Sequence, residues 1–281
     1  MRIVVVYKYS IEELAGYLAS RMPPGLYVPL AAFLAAAAFA ATNSAIAWQW
    51  LWAVWLALLL VLQFRLWDDI ADLEFDRIHN PDRVLCRTVN LHRFYYVGGA
   101  LALINGVLIG VSHEGLARIG GFVTLCLAVL AWYRWRPRDS GYLLLNAHVI
   151  LLKYPAIVWL ITPESVSDKW LNFFCCLVSV YLVFSIYEIL HDERLRMLRG
   201  IAWLLVTQMI LVTSTWVLVA LEMRESATLG FMIVWAGVVS ASVLLGAFHL
   251  FRMRQRPTPS VYGYFVIGLI AYLGLSLETN Q

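Results

Sequence analysis

Nine stretches of about twenty predominantly apolar residues dominate this chain, and each is long enough to cross a bilayer's hydrocarbon core as an α-helix. Their approximate limits are 25–42, 46–67, 92–112, 116–133, 141–161, 170–190, 199–221, 228–250 and 260–277. Of the 281 residues, 62% are hydrophobic and 14% charged, with a mean hydropathy of +0.74. Ordinary soluble domains run at about 45–50% apolar and about 25% charged. That balance excludes a disordered chain, a nucleic-acid binder and a soluble enzyme. A transmembrane barrel would show alternating segments of about ten residues, and the runs here are continuous. The expectation is an all-α, polytopic membrane protein of nine transmembrane helices forming one domain over 1–281, with 1–24 a cytoplasmic or interfacial segment and 25–277 the bundle.

Within the first segment, Ile11, Leu14 and Leu18 fall on one helical face with Glu12 and Glu13 opposite, which predicts an amphipathic helix in the headgroup layer. No signal peptide is expected, because the apolar run Ile3–Val6 is too short and no cleavage site follows. The 21 cations test the span count independently. If the nine spans are threaded in turn, seventeen cations fall on the amino-terminal side: Arg2, Lys8, Arg21, Arg65, Arg77, Arg83, Arg87, Arg93, Arg134, Arg136, Arg138, Arg194, Arg196, Arg199, Arg252, Arg254 and Arg256. Only Arg118, Lys169 and Arg224 fall opposite, and Lys153 lies inside a span. By the positive-inside rule the amino terminus is cytoplasmic and the carboxyl terminus lies across the membrane. A bacterial cytoplasmic membrane is the default location, although an organelle membrane would look the same.

The four cysteines, Cys86, Cys126, Cys175 and Cys176, form no CxxC pair, and they read as small buried apolar residues. The six histidines include no HxxH or HxxxH spacing, which removes a His-box di-iron site.

Acids are where chemistry enters. Asp68, Asp72 and Asp76 follow the second span at i, i+4 and i+8, with Asp69 at the edge of the same helical ladder. Like charges at that spacing destabilise a helix unless cations neutralise them. A solvated helix end paired with Arg65 or Arg77 is the plainer alternative. Glu188 and Asp192 repeat the i, i+4 pattern at the end of the sixth span, and FRLWDDIAD over 64–72 matches FSIYEILHD over 184–192 in character. Pairing of Glu188 and Asp192 with Arg194 or Arg196 is the bland reading there. Four spans separate the two clusters, so both open on one face of the membrane.

Two carboxylate ladders facing a common cavity make a hard-oxygen site suited to Mg²⁺, which binds through one or two carboxylates plus substrate phosphates. Arg77 and Arg83 stand beside the ladder as clamps for phosphate oxygens. A polyanionic head at the membrane surface with an apolar body below describes a prenyl diphosphate. Ionisation of its allylic C–O bond is the expected chemistry, with the diphosphate stabilised by Mg²⁺ and arginine and the carbocation by aromatic faces. Tyr187 is a candidate substrate contact. Lys153, which costs about 2.5–3.5 kcal/mol near mid-helix, either contacts substrate or pairs with Glu188 or snorkels. Asn146 and His148 read as helix–helix hydrogen-bonding groups, and Tyr154-Pro155 as a kink.

The string Asp68-Asp69-Ile70-Ala71-Asp72-Leu73-Glu74-Phe75-Asp76-Arg77, followed by Asn80-Pro81-Asp82-Arg83-Val84-Leu85, resembles the NDxxDxxxD motif and RPDRPL-like loop of the UbiA superfamily of intramembrane prenyltransferases. The nine spans, the acidic motifs after spans two and six, and Arg21-Met22-Pro23 ahead of span one extend the likeness in architecture. Asp68 stands where that family usually has Asn, and Glu188 where its second motif begins with Asp. The glycine and threonine that often follow the second motif are not evident, and Tyr133 and Arg138 only loosely echo its tyrosine-to-lysine pattern. The resemblance implies nine helices around a central cavity and prenyl transfer to an aromatic or other lipophilic acceptor. It implies that Asp68, Asp72 and Asp76 hold one Mg²⁺ with Asp69 in support, that Glu188 and Asp192 hold a second, and that Asp68, Asp72, Asp76 and Asp192 are catalytic. A terpene cyclase of the same fold is the first alternative and a transporter the second, although a transporter's acids belong near mid-bilayer. A CDP-alcohol phosphotransferase is excluded by its missing Asp-Gly and Ala-Arg pattern.

Overall fold

The helix with the smallest side chains sits at the centre of the bundle. A computed structural model of the chain describes residues 2–42, 48–112, 116–137, 140–163, 170–222, 229–252 and 259–278, and every element among them is helical. The α-helices are α1 (Arg2–Arg21), α2 (Pro24–Thr42), α3 (Trp48–Ala71), α4 (Leu73–His79), α5 (Val84–Arg87), α6 (His92–Ser112) and α7 (Leu116–Trp135). They continue with α8 (Leu143–Leu151), α9 (Lys153–Ile161), α10 (Trp170–His191), α11 (Glu193–Arg196), α12 (Ile201–Glu222), α13 (Leu229–Arg252) and α14 (Gly263–Glu278).

Pro24 opens α2, where a missing amide costs nothing. From Leu30 to Thr42 every residue of α2 is buried, and the helix packs against α3, α9, α10 and α14. Lipid tails are as apolar as leucine, so helices in a bilayer associate through close packing and not through escape from water. The run Ala35–Ala38 lets surrounding backbones approach one axis, while Phe33 and Phe39 fill the gaps at either end.

Eight helical spans among the described residues are long and apolar enough to cross a membrane: α2, α3, α6, α7, the α8–α9 pair, α10, α12 and α13. The protein is therefore an all-α, polytopic membrane protein. The ninth expected span falls on α14, whose apolar stretch Gly263–Gly274 is shorter than the other eight. Leu103, Val107 and Val111 on α6, and Trp203 and Ile210 on α12, lie exposed on the outer surface, where lipid is the solvent that accepts them. Arg138, Lys169, Arg224, Arg254 and Arg256, counted in the charge asymmetry, lie outside the described residues.

Two departures from regular spans position the site. The expected kink near Tyr154-Pro155 is a full interruption at Leu152, between α8 and α9. Pro155 has no N–H to give the Leu151 carbonyl and its ring crowds that oxygen, so the chain tightens there, with Leu152 N–H donating to Val149 C=O at 3.3 Å. The other concerns α1, which does more than float in headgroups. Its Tyr17 is 1% exposed, packs edge-on to Phe94 with centroids 5.7 Å apart, and shares a small core with Leu66, Leu73 and Leu85. Leu14 is partly buried against that core and Leu18 is exposed, while the side chain of Ile11 lies outside the described part of the chain.

Close approach also ties α7 to α9. A methyl group at Gly121 would overlap the indole of Trp159, over which the Arg118 guanidinium lies at 5.3 Å. Gly121→Val is expected to lower stability by about 1–3 kcal/mol through overpacking, read as a fall in the thermal midpoint of the detergent-solubilised protein; an unchanged midpoint would show that this contact is not tight.

Candidate active site

The aspartate ladder survives the formal break between α3 and α4. Asp72 N–H donates to Asp68 C=O at 3.0 Å and Asp76 N–H to Asp72 C=O at 2.9 Å, so helical hydrogen bonding runs through the turn and keeps the three carboxylates in register. Self-repulsion along this ladder is met by cations drawn from four different parts of the chain. Asp68 accepts from the Tyr133 hydroxyl and forms an ion pair with Lys153. Asp72 pairs with Arg136, just past the end of α7. Asp76 pairs with Arg83 and accepts from Asn80 Nδ2 at 3.1 Å. Asp69 points toward α1, where Arg21 Nε and Nη2 donate at 2.9 and 2.6 Å, the Tyr17 hydroxyl donates at 2.9 Å, and Arg65 stands 3.5 Å away.

These pairs differ in depth, and depth divides their roles. The side chains of Asp69 and Asp76 are 6% and 5% exposed, those of Asp68 and Asp72 18% and 44%. Asp76 pins the loop Asn80–Arg83 back onto its own helix, and Asp69 pins α1. Burial together with Asp69 raises the Tyr17 phenol above its ordinary value, so it stays protonated and serves as a donor. Burial also lifts the Asp72 carboxyl above its usual range; Arg136 opposes that shift, and Asp68 and Asp76 add to it.

The second acidic segment meets the first at this same end of the bundle. Arg194 lies over the Phe75 ring at 5.0 Å while holding Asp192 through Nη2 at 2.7 Å, so one guanidinium bridges the segments that follow α3 and α10. Asp192 also caps α11, accepting from the Arg194 backbone N–H at 2.8 Å. Burial pushes that carboxyl up, but the hydrogen bonds from Arg194 outweigh it and leave Asp192 below its usual range. Glu188, half-buried, has no hydrogen bond or ion pair among the described residues, yet lies within electrostatic range of Asp68, Asp192, Arg65 and Lys153. Lys153, 3% exposed, pairs with Asp68 and not with Glu188. The interruption at Leu152 frees it from the line of α8, and its ammonium sits 5.4 Å over the Tyr154 ring. Arg77 is exposed, with no ion pair among the described residues.

Aromatic side chains floor the acidic end. Tyr154 stacks on Phe184 with centroids 3.4 Å apart, and Phe184 meets Phe265 edge-on at 4.9 Å. Tyr187 stacks on Tyr262 at 5.4 Å and on His191 at 5.3 Å. Such faces offer negative potential to a cation held above them.

For Mg²⁺ the donor set is of the right kind: hard carboxylate oxygens at one end of the bundle, including one, Glu188, that makes no ion pair among the described residues. Among the described residues no three His, Cys, Asp or Glu side chains are gathered closely enough to hold a metal ion, and Lys153, Arg136 and Arg83 are paired with Asp68, Asp72 and Asp76. Metal binding on these residues requires an exchange of partners.

The chain superposes on the solved structure of a digeranylgeranylglyceryl phosphate synthase in membranes with a TM-score of 0.61, covering 95% of this chain and 99% of that one. It shares that enzyme's fold. Sequence identity between the two is 14%, so the likeness speaks for architecture. No family model matches the chain, and no curated protein matches it in sequence.

Several site residues carry no sequence signal of their own. Tyr17, Arg21 and Arg136 appear in the sequence as an aromatic on an amphipathic helix and as two loop cations, and only the fold couples each to one aspartate; Arg194, which the sequence offered as a partner of Asp192, does pair with it. The division of depth leads to opposite expectations for two neighbouring acids. Asp69→Ala strands Arg21 and Arg65 without their partner and is expected to cost about 3–5 kcal/mol. Asp72→Ala breaks a half-exposed pair worth less than about 1 kcal/mol. Thermal unfolding of the two variants in the same detergent reads the contrast, and equal losses would contradict it.

Proposed function

We propose that this protein is a Mg²⁺-dependent intramembrane prenyltransferase of the UbiA type, moving a prenyl group from its diphosphate to a lipophilic acceptor. The observation that carries the reading is the meeting of two acidic segments, about 120 residues apart in sequence, at one end of a membrane bundle, laced with cations and floored by aromatic rings. A shared fold with a digeranylgeranylglyceryl phosphate synthase supports it. The further elements of the proposal are α14 as a ninth span, a central cavity within a single domain, and an acidic end that faces the cytoplasm.

Asp68, Asp72, Glu188 and Asp192 are the residues that would hold Mg²⁺, which neutralises diphosphate oxygens and so supports departure of the leaving group. Asp69 and Asp76, buried against arginines, position that set by fixing α1 and the Asn80–Arg83 loop. Lys153 and Arg136, released from Asp68 and Asp72, donate to the diphosphate as negative charge develops on its bridging oxygen. Arg77 and Arg83 reach it from the loop side. The rings of Tyr154, Phe184 and Tyr187 lie beneath, where they exclude water from the allylic carbon and face its positive charge. That aromatic floor also favours a second reading, a terpene cyclase in which the substrate's own alkene captures the cation.

The deciding measurement is a mass-spectrometric product profile from cells expressing the wild type beside Asp72→Ala. A prenylated acceptor present with the wild type and reduced at least about 100-fold in the variant is expected, since electrostatic stabilisation of a leaving group is worth about that much. A cyclised hydrocarbon or alcohol formed from a purified prenyl diphosphate without acceptor selects the cyclase. Diphosphate release that needs neither Mg²⁺ nor Asp72 removes both.

A further inference from the structure

Four polar side chains meet among the apolar helices, one turn along α10 from Glu188. Tyr181 and Ser185 on α10, His148 on α8 and Gln208 on α12 form one connected group. His148 Nδ1 lies 2.7 Å from the Tyr181 hydroxyl and 3.4 Å from Ser185 Oγ, and Gln208 Nε2 donates to Ser185 Oγ at 2.8 Å. Ser185 and Gln208 are 1% and 4% exposed. The other end of the Gln208 amide, Oε1, is buried and has no partner among the described residues. The second ring nitrogen of His148 makes no hydrogen bond among them either. An amide oxygen left unpaired in a bilayer cannot borrow a water, so it bears the full desolvation cost.

We propose that this cluster is a binding site for the hydroxyl group of a lipophilic molecule, and, on the prenyl-transfer reading, for the acceptor. A hydroxyl is donor and acceptor in one group, so it can give its proton to Gln208 Oε1 and accept in return; it satisfies the amide in either orientation. With the amide as placed, a ligand with only acceptor groups leaves Oε1 unpaired, and a charged one adds a desolvation cost that no cation in the cluster offsets. The cluster is also in line with the carboxylates. Tyr181, Ser185 and Glu188 follow one another at spacings of four and three residues, which puts them on one face of α10, and Asp192 stands just past its end, its N–H donating to Glu188 C=O at 2.9 Å. The polar stripe therefore runs from the carboxylates down to the Gln208 amide. Tying α8, α10 and α12 together would use the same hydrogen bonds, but it leaves the empty lone pairs of Oε1 without a purpose.

The test is a comparison of two probes with the same tail. Full-length protein in lipid nanodiscs, without Mg²⁺ or any prenyl diphosphate, is titrated with 4-dodecylphenol and with dodecylbenzene, and binding is followed by tryptophan fluorescence. The wild type is expected to prefer the phenol about tenfold, the worth of one well-made buried hydrogen bond. Gln208→Leu and His148→Phe are expected to erase that preference and leave dodecylbenzene binding unchanged. Should Gln208→Leu fail to fold, Ser185→Ala, a smaller change, reads the same difference. No preference in the wild type, or a preference retained in every variant, overturns the proposal and leaves the cluster as a tie between helices. Because no diphosphate is present, the result stands apart from the prenyl-transfer reading: a hydroxyl preference without any prenyl diphosphate turnover would sink that reading and leave the site.

Discussion

Everything at the acidic end depends on charge neutralisation in a place with little water. Asp68 is held between the Lys153 ammonium and the Tyr133 hydroxyl, and neither ion would be tolerable there alone. A lysine inside a span and a carboxylate at its mouth each carry a desolvation cost, and each cancels part of the other's. The same logic recurs at Asp69, Asp72, Asp76 and Asp192, each answered by an arginine: Arg21 and Arg136 from distant parts of the chain, Arg83 from the next loop and Arg194 from two residues on. Acids gathered by one helix repel; acids matched to cations from α1, α7, α9 and the loop after α4 become a lattice that fixes those elements to one another.

That lattice needs a frame that brings its contributors within reach, and the frame rests on α2. Its alanines permit α3, α9, α10 and α14 to crowd one axis, and the break at Leu152 turns Lys153 out of α8 toward the carboxylates. Small side chains decide the spacing, a proline decides the break, and the charges then decide the register. On the proposed reading, a divalent cation and a diphosphate would take over the contacts that Lys153 and Arg136 now make, so that each carboxylate exchanges one cation for another.

Hydropathy made most of the architecture legible. Eight of the expected spans are long apolar helices, and the ninth falls on α14, whose apolar stretch is shorter than theirs. The kink at Tyr154-Pro155 followed from proline's missing donor. The ladder was legible as well, because helical spacing is a local property of the chain. Two partners were offered by sequence, Arg65 for the ladder and Arg194 for Asp192; the distant ones were not. Nothing near Asp69 in sequence points to Tyr17, 52 residues away, and Lys153, for which the sequence left open a substrate contact, Glu188 or the headgroups, pairs with Asp68. His148 read as a helix-packing residue, and its neighbours Ser185 and Gln208 drew no notice, because a serine or a glutamine in a span has no meaning until its facing helix is known.

The sequence by itself determined the solvent, the helical class and the places where acids line one helical face, since each is set by composition or by a period of a few residues. Tertiary structure alone decided which distant cation answers which carboxylate, that Asp69 and Asp76 turn inward while Asp68 and Asp72 stay accessible, and that Arg194 spans both acidic segments. The physical reason is range. Hydropathy and helical phase act between neighbours along the chain, whereas an ion pair is fixed only when two helices far apart in sequence have packed and lost their water.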